Sequence, residues 1–284
     1  MNRGPIVLTI DEAEYLLDQL PPPSKDGDIL ITKLRENLEI LLTELRKVSV
    51  IVVGPLDCNC VIVGNTENGE AVVVDPGGDV QEILDEAERM NVQIKKIYHT
   101  HAHFDHFLAT AQLQSATGAT THLHQQDQFL WDRLADQCRL IGLTLSSDQI
   151  PAPPDILQIG QEPITLGTTQ IGTVLHTPGH SPGSSSYYFP ELGVVCTGDT
   201  LFRDSIGRTD LWKASFTTLQ ESVLSKLYTL PDDVKVIPGH GPATTVGREK
   251  MYNMFVRDVV DKGVSKLADR CAGCEAVKGL EARL

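Results

Sequence analysis

Hydrophobic positions along this chain change their period once, near residue 48. Before it, in DEAEYLLDQL and DILITKLRENLEILLTELRK, they follow helical spacing, and Leu34, Leu38, Leu41 and Leu42 fall on one stripe. PPPSKDGD (Pro21–Asp28) breaks the two segments apart. The pattern predicts a helical extension over residues 1–47, either a cap on the main domain or an oligomerisation arm. From Val48 the runs shorten and become rich in valine and isoleucine: VSVIVVG, NCVIVGN and EAVVVDPGG, with a tight turn at Asn68–Glu70. DVQEILDEAERM reads as an amphipathic helix and QIKKIYHT as the next strand. Gly118–Leu123 and Ile156–Ile159 are further predicted strands, with a helix near Gln125–Leu140 between them. EPITLGTTQIGTVLHTPG, SSSYYF and GVVCTGD follow as strand runs, SFTTLQESVLSKLYTL as a helix, VKVIPGHG as a last strand and turn, and VGREKMYNMFVRDVVDKG as a closing helix. Two batches of strands, each followed by helices, fit an α/β domain over residues 48–284 in which two sheets pack face to face with helices outside.

Composition narrows the partners. A net charge of -14 over 284 residues excludes nucleic acid and anionic membrane as default partners. No apolar run approaches the roughly 18 residues of a membrane span, and MNRGPIVLTIDEAEY turns acidic too soon for a signal peptide. Six scattered cysteines form no disulfide framework, which predicts a reducing, cytoplasmic setting. Cys271 and Cys274 form a C-x-x-C without a second pair nearby and are read as free thiols. The Leu34–Leu42 stripe offers a face for a homodimer.

KIYHTHAHFDHFLAT places four histidines and an aspartate within the span His99–His106, directly after a predicted strand. His101 and His103 alternate, so on extended chain they point the same way. Asp105 and His106 lie where the chain bends into a helix and face a second point. Neutral imidazole and carboxylate suit zinc, and also iron or manganese. Three more candidates sit in turns after apolar strands and beside glycine: His180 in HTPGHSPGS, Asp199 in VVCTGDT and His240 in VIPGHGP. Together these are seven ligands, enough for two metals. Two close divalent ions generate a bridging hydroxide near neutral pH, which predicts a hydrolase whose nucleophile is that hydroxide, oriented by Asp105. His99 and His176 are read as packing or supporting residues, with His176 orienting His180, and His122 and His124 as core or surface residues.

The order THAHFDH, TPGH, TGDT, PGHG resembles the metallo-β-lactamase superfamily. The resemblance covers about residues 48–250 and implies an αββα sandwich with a binuclear site at the sheet edges. It implies that His101, His103 and His180 hold one metal, that Asp105, His106 and His240 hold the other, and that Asp199 bridges them, with zinc favoured. GPLDCNCVIVG, VVVDPGGD, GDTLFRDSIGRTDL and PDDVKVIPGHGPATTVGREK look like the short glyoxalase II-like subgroup of hydroxyacylglutathione hydrolases. That likeness implies a small-molecule thioester substrate such as S-D-lactoylglutathione, with Arg208 near the glutathione; the other reading of Arg208 is an ion pair with Asp204 or Asp210. This chain departs from the subgroup at Phe107 and Leu108, which replace a glycine pair. It also has only 44 residues after His240, where full-length glyoxalase II carries a helical domain. The alternatives are a persulfide dioxygenase with mononuclear iron, a lactonase or a β-lactamase. Pro238-Gly239-His240 lacks the alanine that dioxygenases place before the last histidine.

Overall fold

Side chains along Cys60-Val61-Ile62-Val63 alternate between two covered faces, and this alternation sets the layers. Residues 60 and 62 enter one apolar cluster, residues 61 and 63 another, and all four are buried. The computed structural model describes residues 10–21, 29–45 and 47–256. Helices α1 (Ile10–Gln19) and α2 (Ile29–Leu45) precede strands β1 (Val48–Val53), β2 (Cys58–Asn65) and β3 (Glu70–Val74). Helix α3 (Val80–Arg89), strand β4 (Gln93–Tyr98), helix α4 (Thr110–Thr117), strand β5 (Thr120–His124), the short helices α5 (Gln128–Trp131) and α6 (Leu134–Leu140), and strand β6 (Ile156–Gln158) complete the first half. The six strands form one sheet in sequence order, antiparallel from β1 to β3 and parallel from β3 to β6.

The second half contains β7 (Pro163–Leu166), β8 (Thr169–His176), β9 (Ser185–Phe189), β10 (Val194–Gly198), the two-residue strands β11 (Leu201–Phe202) and β12 (Ser205–Ile206), α7 (Phe216–Ser222), β13 (Lys235–Pro238), β14 (Thr244–Thr245) and α8 (Val246–Tyr252). Its sheet runs β14-β13-β10-β9-β8-β7, and β11 and β12 pair as a separate ribbon. Between the sheets, Val61, Val63, Val72 and Val74 pack against Val174, Tyr187, Phe189 and Ile237. Outside the first sheet, Ile62, Val73 and Ile97 meet Ile83, Ala87 and Leu113 of α3 and α4. Outside the second, Val195 and Val236 meet Leu219, Val223 and Val246. The layers are helix, sheet, sheet, helix, the αββα metallo-β-lactamase fold that the sequence motifs imply.

Three sequence expectations change. In the α1–α2 hairpin, Leu38 and Leu42 are buried with Ala13, and Arg35 Nη2 donates to the carbonyls of Leu17, Leu20 and Pro21 at the end of α1. Leu34, read on the same stripe, is 48 % exposed. The helix expected near Gln125–Leu140 breaks between α5 and α6. The Leu130 carbonyl, which a continuous helix would bond to Leu134, instead accepts from Arg133 N at 3.0 Å and from the Gln137 amide at 2.9 Å. The closing helix is interrupted at Asn253, which leaves helical geometry at φ -73, ψ 102 and donates its amide to the Ser205 carbonyl. Residues beyond 256, including Cys271 and Cys274, lie outside the described residues, and no described helix is long and apolar enough to cross a membrane. Cys58, Cys60, Cys138 and Cys196 are buried free thiols.

Candidate metal centre

Four strand ends meet at one edge of the sandwich. After β4 the chain stays extended to His103, at φ -77 and ψ 143, then closes one tight helical turn over Phe104–His106. His101 and His103 therefore project together, with ring centroids 4.7 Å apart, while Asp105 and His106 turn to the adjacent point. His180 lies in the loop after β8, Asp199 directly after β10, and His240 directly after β13. At Gly179, before His180, φ is +140 and an added Cβ would lie 2.4 Å from the Leu219 backbone, so only glycine brings this loop so close.

The ring orientations are fixed from behind. His180 Nδ1 donates to the Arg208 carbonyl at 2.8 Å, His106 Nδ1 contacts Asp75 Oδ2 at 3.0 Å, and His101 Nδ1 lies 3.1 Å from Thr100 Oγ1. Each bond turns the Nε2 edge of its ring inward. His103 Nδ1 is 2.9 Å from His180 Nε2, and His240 Nε2 is 3.1 Å from Asp105 Oδ2. Potential ligand atoms gather in three overlapping groups, each with its atoms within 4.8 Å of one another: His101, His103 and His180; His101, His106 and Asp199; and Asp105, His106 and His240. Asp199 lies between the outer two. Its Oδ2 is 3.6 Å from His180 Nε2, and its Oδ1 is 3.5 Å from His106 Nε2 and 3.8 Å from His240 Nε2. All seven residues singled out in the sequence converge here.

The donor set fits divalent cations. His101 Nε2, His106 Nε2 and Asp199 Oδ1 are buried without a hydrogen-bond partner, each at a cost of about 1–3 kcal/mol that a cation would remove. Burial, with His180 and His106 nearby, pushes His103 down to about 3, and burial with the neighbouring imidazoles holds His101 well below the usual range. These rings are neutral, the form that ligates metal. Burial alone would raise the Asp105 carboxyl, but His106 and His240 outweigh it and hold it below the usual carboxylate range.

Sequence reading misses the residues that hold this shell. Asp75 accepts from Thr100 N and Thr100 Oγ1 as well as contacting His106, and Asp127 is fully buried. Asp127 accepts from Ser181 Oγ at 2.6 Å, Gly183 N at 2.6 Å and Ala102 N at 3.2 Å, tying the His180 loop to the segment that carries His101 and His103. Asp127→Ala is expected to weaken retention of metal by about 10–100-fold, measured by competition with a chromogenic chelator. His176 does not orient His180 directly, because its Nε2 donates to the Pro182 carbonyl and its ring stacks on His124 at 4.0 Å. His99 is a core residue between the His122 carbonyl and Thr110 Oγ1, and His122 stacks on Tyr98 at 4.3 Å. The Arg208 guanidinium makes the ion pair with Asp210, two bonds of 2.7 Å, at the rim of a cavity of about 440 Å³ that opens over the site.

The comparisons with known proteins show the superfamily and the fold. The model of the metallo-beta-lactamase superfamily matches residues 53–240. The hydroxyacylglutathione hydrolase GloC of Haemophilus influenzae is 33 % identical over 211 residues, spanning 74 % of this chain and 97 % of the relative. Among solved structures, the B3 metallo-beta-lactamase BLEG-1 superposes with a TM-score of 0.68 at 36 % identity, covering 74 % of this chain and 99 % of that one. TTHA1623 in a di-iron-bound form gives 0.64 at 38 %, covering 73 % and 99 %.

Proposed function

The chain belongs to the metallo-β-lactamase superfamily, and from that premise we propose that it is a metal-dependent hydrolase cleaving a small thioester such as S-D-lactoylglutathione. His101, His103 and His180 would hold one divalent ion and Asp105, His106 and His240 a second, with Asp199 in reach of both groups. The observation that carries this reading is the placement of the two Asp199 oxygens, one toward His180 and the other toward His106 and His240. Zinc suits the nitrogen-rich donor set, and iron is the metal bound by the similar TTHA1623. Bound there, a pair of divalent ions supplies Lewis acidity and lowers the pKa of water toward neutrality.

The chain's own groups do the rest. Asp105 Oδ2, held beside His240, orients the attacking water toward the thioester carbonyl. The Asp75 and Thr100 bonds and the Arg208 carbonyl keep the imidazoles of His101, His106 and His180 in register, so little reorganisation accompanies the reaction. Water adds to the carbonyl carbon, the C–S bond breaks, and the acid and thiol leave. Arg208 at the rim pairs with a carboxylate of the thiol half by exchanging Asp210 for it. Metal-loaded protein is expected to hydrolyse S-D-lactoylglutathione, followed by the loss of thioester absorbance. Absence of turnover on every glutathione thioester with both sites loaded overturns the reading.

Gly239 supports the hydrolase over the mononuclear dioxygenase. A Cβ here would lie 2.3 Å from Asp199 Oδ1 and 2.6 Å from His106 Cε1, so an alanine displaces the shared carboxylate. Gly239→Ala is expected to reduce bound metal from about two ions per chain toward one, with activity falling about 100-fold. Elemental analysis beside a circular dichroism spectrum checks this.

A further inference from the structure

The cavity over the site is walled by apolar groups to a degree that the chemistry of the centre does not require. Leu56, Phe104, Leu140, Ile141, Leu211 and Trp212 form its sides above the proposed ligands. Four of them stand well out of the fold: Leu56 is 51 % exposed, Leu140 75 %, Ile141 50 % and Trp212 43 %. They come from three separate segments, the turn after β1, the end of α6 and the loop before α7, yet converge on one opening. Apolar surface gathered around a concave site marks ligand binding more than packing.

The polar groups of the wall are already engaged. The Gln137 side chain accepts from Phe104 N and donates to the Ala102 and Leu130 carbonyls. The Arg208 guanidinium is neutralised by Asp210, and the nearby Lys213 ammonium lies over the Phe129 ring at 4.0 Å. Apart from the candidate ligands, the described lining offers one cation at the rim, the engaged Gln137 amide, and apolar surface elsewhere.

We propose that the acyl half of the substrate is an apolar chain longer than lactoyl, seated between Leu140, Ile141 and Trp212 with its thioester carbonyl over the metal centre. This deepens the thioesterase reading and rests on it; the hydrolysis itself is unchanged, water in and acid plus thiol out.

Two measurements on the metal-loaded full chain test it. In the first, kcat/KM is compared for S-D-lactoyl-, S-acetyl-, S-butanoyl- and S-hexanoylglutathione. In the second, the uncleavable thioethers S-methyl-, S-butyl- and S-hexylglutathione are titrated by calorimetry. Affinity is expected to tighten about threefold to fourfold per methylene, the gain from removing one CH₂ from water, with a parallel rise in kcat/KM from acetyl to hexanoyl. Leu140→Ser and Trp212→Ala, both at exposed positions that the core does not need, are expected to weaken S-hexylglutathione binding about tenfold and flatten the series. Turnover that is flat or falls with chain length, with equal affinities for the thioethers, overturns the apolar acyl site while leaving the hydrolase intact. Affinity that grows with chain length in the absence of any turnover overturns the thioesterase and leaves the apolar site standing. A slope that persists unchanged in both variants removes this wall as its cause.

Discussion

Asp199→Ala is expected to lower kcat/KM by about 10³-fold and bound metal from about two ions per chain to one or none, with the fold retained. The size follows from its position. No other carboxylate reaches toward both outer clusters among the described residues: Oδ2 lies 3.6 Å from His180 Nε2 and Oδ1 3.5 Å from His106 Nε2. Removing a residue held by one cluster alone leaves the opposite cluster complete, whereas removing this one weakens both. The fold is expected to survive because Asp199 Oδ1 makes no hydrogen bond within the protein, so truncation leaves few partners behind. Steady-state kinetics, elemental analysis and a thermal melt on the same preparation separate loss of metal from loss of structure. Unchanged activity would show that Asp199 is not shared.

Stripping the metal is expected to lower the melting temperature by about 10 °C. Ligand present at roughly a thousandfold its Kd stabilises the folded state by about 4 kcal/mol, and each kcal/mol moves the midpoint of a domain this size by about 2–4 °C. The apo site has reason to be weak. Buried His101 and His106 keep unpaired Nε2 atoms, and five imidazoles stand with neighbouring ring centroids 4.1 to 5.1 Å apart. The melt is followed by circular dichroism before chelation, after it, and after the metal is restored. A midpoint that does not move would mean that no ion contributes to this edge of the fold.

The residues legible in the sequence share one property: each candidate ligand follows an apolar run and is flagged by its own neighbours, His101 to His106 by their spacing, and His180, Asp199 and His240 by adjacent glycine. A strand end is a local signal, and so is the αββα order of elements. Asp127 carries no such signal. Its partners, Ala102, Ser181 and Gly183, are distant in sequence and are brought to it only by the packing of the two sheets. The same holds for the Arg208 carbonyl beneath His180, since sequence patterns describe side chains and not which backbone oxygen faces them. The break between α5 and α6 was hidden for a related reason: it depends on Gln137 reaching the Leu130 carbonyl, a choice made by the tertiary contact with Phe104. At Leu34, helical periodicity marks a stripe, but α1 is short and covers only the part around Leu38 and Leu42.

Phe107 and Leu108, where the resemblance to the glyoxalase II-like subgroup implies a glycine pair, are core residues. Both side chains are buried, Phe107 stacks on Trp131 at 4.6 Å, and Leu108 shares their cluster with Phe104 and Leu134. The bulk is accommodated inward, beneath the segment that carries His103 and Asp105, and Phe104 of the same cluster reaches the cavity wall. Phe107 and Leu108 thus pack beneath the site, and its mouth is formed by Leu56, the end of α6 and the loop before α7.

Crystals of the full chain grown with zinc or iron, with anomalous differences collected at the metal edge, locate the ions directly. Two peaks are expected, one among His101, His103 and His180, the other among Asp105, His106 and His240, with Asp199 beside both. A single peak, or strong peaks elsewhere with this edge of the sandwich empty, would contradict the two-metal reading.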